Sequence, residues 1–188
     1  STQAEYDNLY GKSKLSAEIA VKNLQNETGN ASFIYRLPGV FGKWCKPNYN
    51  SVVATFCNNI SHGLPIQVND PSFELTLVYI DDVVREFVKI IQGSMDAKGM
   101  FAVKPEYKIK LGDLAEQIKT FKESRDSLIT ERVGSGFVRK LYSTYLSYIS
   151  PEQFSYSIPS YGDERGMFAE MLKTKDSGQF SFFTAKPG

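Results

Sequence analysis

Tyr10-Gly11-Lys12-Ser13-Lys14 sets a phenol and an ammonium four residues apart, and residues at that spacing share one face of a helix. The chemistry such a pair offers is acid catalysis by tyrosine. A free tyrosine has a pKa of about 10, too high for ready proton transfer at neutral pH. A neighbouring cation favours the phenolate and brings the group toward its working range. Other catalytic chemistries find little material. His62 is the one imidazole, which disfavours a Ser-His-Asp triad or a Cys/His metal site, and Cys45 and Cys57 lack the spacing of a zinc pair.

The elements that must position the pair follow from the apolar pattern. Leu15, Ile19, Ala20 and Leu24 recur at helical spacing up to Asn26, and Gly29-Asn30 supplies a stop. Residues 31–36 read as a buried strand that runs into a loop at Pro38-Gly39. Asn48 to Ile60 reads as a helix, Ile66-Gln67-Val68 as a short strand, and Asn69 to Ser72 as a turn. Glu74 to Ile80 alternates as a strand does, and Asp81 is placed to cap the helix through Val84, Phe87, Val88 and Ile91. Capping also accounts more simply for the Asp81-Asp82 pair than acid-base chemistry does. Gly93 to Gly99 reads as loop and Met100 to Val103 as strand. A helix starts near Lys110, and a less regular helical segment over 125–149 ends in an aromatic run best explained by core packing.

Composition shifts after Ser150. Pro151, Pro159 and the Ser and Tyr residues around them read as a linker, and Met167–Leu172 and Gln179–Thr184 read as strands about a turn at Asp176-Ser177-Gly178. Two strands alone do not make a stable domain, so the chain reads as cut within a β domain. Charge selects no partner. Lys and Arg number 22 against 21 Asp and Glu, interspersed, with no basic stripe for nucleic acid. No apolar run has the length of a membrane span and no leader opens the chain. Two thiols suggest no disulfide framework and fit a reducing cytoplasm.

The run from Ser1-Thr2 through the Tyr10 motif to Phe33–Gly42, with Tyr79-Ile80-Asp81-Asp82 beyond it, resembles the extended short-chain dehydrogenase/reductases, the nucleotide-sugar branch especially. Longer strings are similar to a bifunctional family of capsular polysaccharide biosynthesis that joins such a reductase to a cupin. These are Phe41–Val52, Ile66–Asp70, Leu141–Tyr148 and Asp163-Glu164-Arg165-Gly166. The resemblance implies an α/β fold: the C-terminal half of a Rossmann-like reductase over 1–149, a linker at 150–160, and the first strands of a cupin over 161–188. It departs from the family in having no Gly-rich turn before Tyr10, where the cofactor pyrophosphate would sit. A His-rich metal segment is expected just past Lys186-Pro187-Gly188.

The implied reaction is NADPH-dependent reduction of the 4-keto group of a UDP-linked 2-acetamido-2,6-dideoxy sugar, on the way to UDP-N-acetyl-L-fucosamine, after epimerisation by a metal-bearing cupin with zinc as the expected ion. Carried onto this sequence, Tyr10 gives the proton to the C4 oxygen, and Lys14 favours its phenolate and holds the nicotinamide ribose. Ser1 hydrogen-bonds the ketone, with Thr2 in reserve. Pro38, Gly39 and Val40 line the nicotinamide through backbone groups. Lys46, Asn48, Tyr49 and Asn50 hold the nucleotide sugar, since a diphosphate wants cationic and amide donors. The expected assembly is a cytoplasmic homodimer. A dehydratase of the same fold is disfavoured because no acid follows Ser1-Thr2, whereas a 4-epimerase and a non-catalytic sugar-nucleotide module stay open.

Overall fold

Asn8 starts the helix that carries Tyr10 and Lys14, its side chain accepting a hydrogen bond from the Gly11 amide at 2.8 Å. This helix, α1, spans Leu9–Thr28 and ends at Gly29, whose φ of 71° is the left-handed conformation that glycine adopts without strain. The computed structural model describes residues 1–94, 100–175 and 178–187. A 3-10 turn, Thr2–Glu5, precedes α1, and β1 (Ile34–Tyr35), β2 (Gly39–Phe41), α2 (Val52–Ser61), β3 (Glu74–Tyr79) and α3 (Ile80–Ile91) follow. Then come β4 (Met100–Phe101), β5 (Tyr107–Lys110), α4 (Leu111–Ser127), α5 (Gly136–Leu146), the short α6 (Pro151–Phe154), and β6 (Ser160–Asp163), β7 (Gly166–Thr174) and β8 (Gly178–Ala185).

The chain divides into two compact units, Ser1–Phe41 with Glu74–Ile109, and Gly42–Phe73 with Lys110–Gly188. In the first, β1 pairs in parallel with β4, and β2 in parallel with β3, which lies between β2 and β5. Parallel pairing needs a crossover connection, and residues 42–73, which include α2, join the parallel neighbours β2 and β3. Leu77, Val78 and Tyr79 are buried in succession, the mark of a strand covered on both faces. Val78, Val83 and Val103 form the core of this unit, with Tyr35, Leu37, Val40 and Ile80 packed on it.

In the second unit α2, α4 and α5 pack together through Val53, Phe56, Leu114, Ile118, Phe121 and Leu141. The aromatic run at the end of α5 is core where it faces inward: Tyr145 is buried, and the Phe121 ring meets Tyr142 edge-on at 5.0 Å. β6, β7 and β8 form an antiparallel sheet, so a third strand joins the two expected. Thr130 N–H donates to Lys173 O and Lys173 N–H to Leu128 O, both at 2.8 Å, which ties β7 to the segment after α4. Pro151 opens α6 inside the expected linker, and the Arg125 guanidinium lies over the Tyr156 ring at 5.0 Å.

Several expectations are corrected. The strand over 31–36 is only Ile34–Tyr35 and is half-buried; the chain leaves the ladder at Arg36–Pro38, where proline has no amide to donate, and resumes as β2. Gly39 and Val40 are therefore strand residues rather than loop. The helix expected from Asn48 starts at Val52, because Asn48 and Asn50 are left-handed (φ 56° and 53°) and Ser51 is the cap. Residues 66–68 form no strand with any of the described residues. Tyr79, which makes no side-chain capping hydrogen bond, holds the cap position of α3, so Asp81 and Asp82 lie in its first turn, where carboxylates meet the positive helix end. The stripe Leu15, Ile19 and Leu24 on α1 is exposed. Residues 95–99 of the expected Gly93–Gly99 loop, Asp176-Ser177 of the expected turn, and Gly188 lie outside the described residues.

Candidate active site

Gly11, between the two candidate catalytic residues, lets the chain before α1 fold back onto it. A Cβ there would stand 2.1 Å from the Tyr6 carbonyl oxygen and 2.5 Å from that of Gln3, so no other residue fits. The 3-10 turn consequently lies against the first turn of α1 and brings Ser1 beside it. Ser1 caps this turn, its Oγ accepting from the Gln3 amide at 3.3 Å. Because Oγ acts there as acceptor, its own hydrogen stays free to be donated.

Lys14 Nζ lies over the Tyr10 ring, 5.1 Å from its centroid, so the i and i+4 neighbours meet as a cation-π pair. The Tyr10 side chain is more than half exposed, at 57%. Ser1 and Lys14 line one cavity of about 250 Å3, whose wall includes Ala17, Glu18, Phe33 and Tyr35; Tyr10 is outside it. A hydroxyl and an ammonium at an apolar-walled cavity are the donors that a carbonyl and a ribose hydroxyl need, and they fit a nicotinamide nucleotide. Gly39 pairs with Leu77, whose Cδ2 stands 2.9 Å from where a Cβ would be. Thr2 N–H donates to Leu37 O at 3.1 Å, joining the Ser1 turn to the residues that lead into Pro38.

Sequence reasoning passed over Glu18 and Arg36. Glu18 continues the Tyr10–Lys14 stripe by another four residues and is 8% exposed. Arg36 grips it from β1's end through Nε at 3.1 and 3.2 Å and through Nη2 at 2.8 Å. Arg36 Nη1 also donates to Glu5 Oε1 at 3.1 Å. The hydrogen bond from Arg36 holds the Glu18 carboxyl below its ordinary pKa, against burial that acts the other way. A carboxylate at that spacing was the available signal, and its partner came from a separate element.

Lys46, Asn48, Tyr49 and Asn50 are exposed in the second unit. Their loop is held by its backbone: Trp44 N–H donates to Ser147 Oγ at 3.3 Å, Cys45 O accepts from the Tyr148 hydroxyl, and Asn48 N–H donates to Thr55 Oγ1 at 2.9 Å. Lys46 Nζ lies 5.7 Å from the Tyr49 ring centroid. Asp82 is buried and ion-paired with Arg85 at 2.9 Å. Among the described residues no three His, Cys, Asp or Glu side chains gather as a metal site, and no helix is long and apolar enough to cross a membrane.

Parallel strands joined by helices, with a Tyr-Lys pair on the helix before the first of them, define a Rossmann-like fold. The chain belongs to the NAD dependent epimerase/dehydratase family, whose profile matches residues 1–103, and a nicotinamide cofactor is the cofactor of that family. It is 57% identical over all 188 residues to a UDP-2-acetamido-2,6-beta-L-arabino-hexul-4-ose reductase of Pseudomonas aeruginosa, and covers 50% of that protein. The crystal structure of the capsular polysaccharide assembling protein CapF from Staphylococcus aureus matches with a TM-score of 0.94 at 46% identity, over 100% of this chain and 51% of that one. A UDP-glucose 4-epimerase from Thermotoga maritima shares the fold at 19% identity, with a TM-score of 0.61 over 74% of this chain and 52% of its own. The chain thus spans about half the length of the curated relative it matches.

Proposed function

We propose that the protein reduces the 4-keto group of a UDP-linked 2-acetamido-2,6-dideoxy-hexos-4-ulose with NADPH, in the supply of UDP-N-acetyl-L-fucosamine for capsular polysaccharide. The observation that carries this reading is the 57% identity, across every residue of the chain, to a protein named for that reduction. The reduced nicotinamide, when bound, supplies hydride to C4. The Tyr10 phenol donates its proton to the C4 oxygen, which becomes a hydroxyl, and the phenolate left behind is reprotonated from solvent. Ser1 Oγ, with its hydrogen free, donates to the same oxygen while charge develops on it. Lys14, its Nζ over the Tyr10 ring, holds the ribose, and the backbone of Pro38, Gly39 and Val40 flanks the nicotinamide. Lys46, Asn48, Tyr49 and Asn50 hold the UDP diphosphate.

Residues 161–188 open a cupin domain in this reading. The domain epimerises the substrate with a bound zinc beyond this chain, and the complete protein works as a cytoplasmic homodimer. Tyr10→Phe in the complete protein should cut NADPH oxidation with the keto-sugar by about 10²- to 10⁴-fold and leave NADPH binding intact. Unchanged turnover sinks the assignment. Release of NADP in step with product distinguishes reduction from 4-epimerisation, in which the nicotinamide is regenerated in place.

A further inference from the structure

Three elements meet at one guanidinium. Arg36 follows β1 and directly precedes Leu37-Pro38-Gly39. Its Nε and Nη2 grip the Glu18 carboxylate of α1 from 2.8 to 3.2 Å, and its Nη1 reaches Glu5 of the 3-10 turn at 3.1 Å. Each element bears a different part of the candidate site: Ser1 on the turn, Tyr10 and Lys14 on α1, and Pro38, Gly39 and Val40 after β1. Arg36 touches none of the reacting groups itself. Glu18 is one helical turn beyond Lys14 and shares the Ser1–Lys14 cavity wall.

We infer that Arg36 is a positioning residue which, through Glu18 and Glu5, sets the Ser1 hydroxyl and the Tyr10–Lys14 pair against the Pro38–Val40 backbone. The inference rests on the reductase reading and adds to it a residue that acts without touching substrate. A planar fork is needed, because only a guanidinium offers one edge to a carboxylate and a further N–H to a second acid at a fixed angle. The two acids differ in what else they do. Glu18 is buried, so losing its partner leaves a charge uncompensated and costs stability. Glu5 is exposed, with 63% of its side chain accessible, and an exposed ion pair adds little to stability. Its contribution is directional: it fixes where the Ser1 turn lies relative to β1.

Glu5→Gln and Arg36→Lys, made in the complete protein, separate positioning from folding. Misplacing reacting groups by about 1 Å can cost about 100-fold in rate, so kcat should fall about 10-fold or more in Arg36→Lys and about 3-fold in Glu5→Gln, with KM for the keto-sugar within about 2-fold of the parent. Affinity for NADPH, read by fluorescence without turnover, should weaken about 3-fold or more in Arg36→Lys because Lys14 shifts. The thermal midpoint of Glu5→Gln should not move. If both variants keep kcat and NADPH affinity within about 2-fold of the parent, or if the loss in Glu5→Gln comes with a fall in its thermal midpoint, the inference is overturned. The NADPH measurement decides it even if the keto-sugar proves the wrong substrate, an outcome that defeats the function proposal instead.

Discussion

At Gly11 the requirement is steric: two carbonyl oxygens occupy the space of a side chain, one of them 2.1 Å from a built Cβ. Gly11→Ala should cost about 1–3 kcal/mol in urea unfolding, the range for forcing an extra methyl into a packed site, despite alanine's better helix propensity. Glu18 gives a pH signature. Its folded pKa lies below the ordinary value of 4.5, so the unfolded chain binds that proton more readily. The stability it contributes is complete above 4.5 and is lost as pH falls through the lower folded value. Acid unfolding of Glu18→Gln should therefore be less steep in that window than that of the parent. The two thiols should also separate. Burial raises the pKa of Cys57 and leaves it no exposed surface, whereas Cys45 is partly accessible, so iodoacetamide should label Cys45 first by mass spectrometry.

Among elements, the helices of the second unit were the most readable, since α2 and α4 bury the faces their apolar spacing indicates. Ile118, fully buried on α4, should cost about 2–5 kcal/mol as Ile118→Ala, measured by denaturant midpoint. α1 followed the same pattern with a different outcome. Leu15, Ile19 and Leu24 are spaced for burial yet exposed, because periodicity shows that a face is apolar without saying what covers it. The short strands were the least legible. β2 falls where the sequence reads as loop, yet β1 and β2 are both strands and pair with different partners, β4 and β3, on either side of Pro38. Asp81 shows the same limit at a helix start: it is a good cap by type, but β3 runs straight into α3 and leaves no extended residue there for it to be.

Over the whole molecule the sequence is interleaved, for Gly42–Phe73 belongs to one compact unit and is flanked by two segments of the other. Val78 lies in the core of the first unit and Ile118 in that of the second. Chemistry was legible where it is local. A four-residue spacing places Lys14 on the Tyr10 face of any helix, an asparagine caps that helix and a glycine ends it, and none of this needs the rest of the chain. The sequence by itself therefore determined that Tyr10 and Lys14 share a helix face and where most of the longer helices lie. Only the tertiary structure decided which strands pair, that Gly11 admits two carbonyls, and that Arg36 joins Glu18 and Glu5 across 18 and 31 residues. Those contacts depend on distance in space between residues far apart in the chain, and no local pattern of residue types encodes that distance.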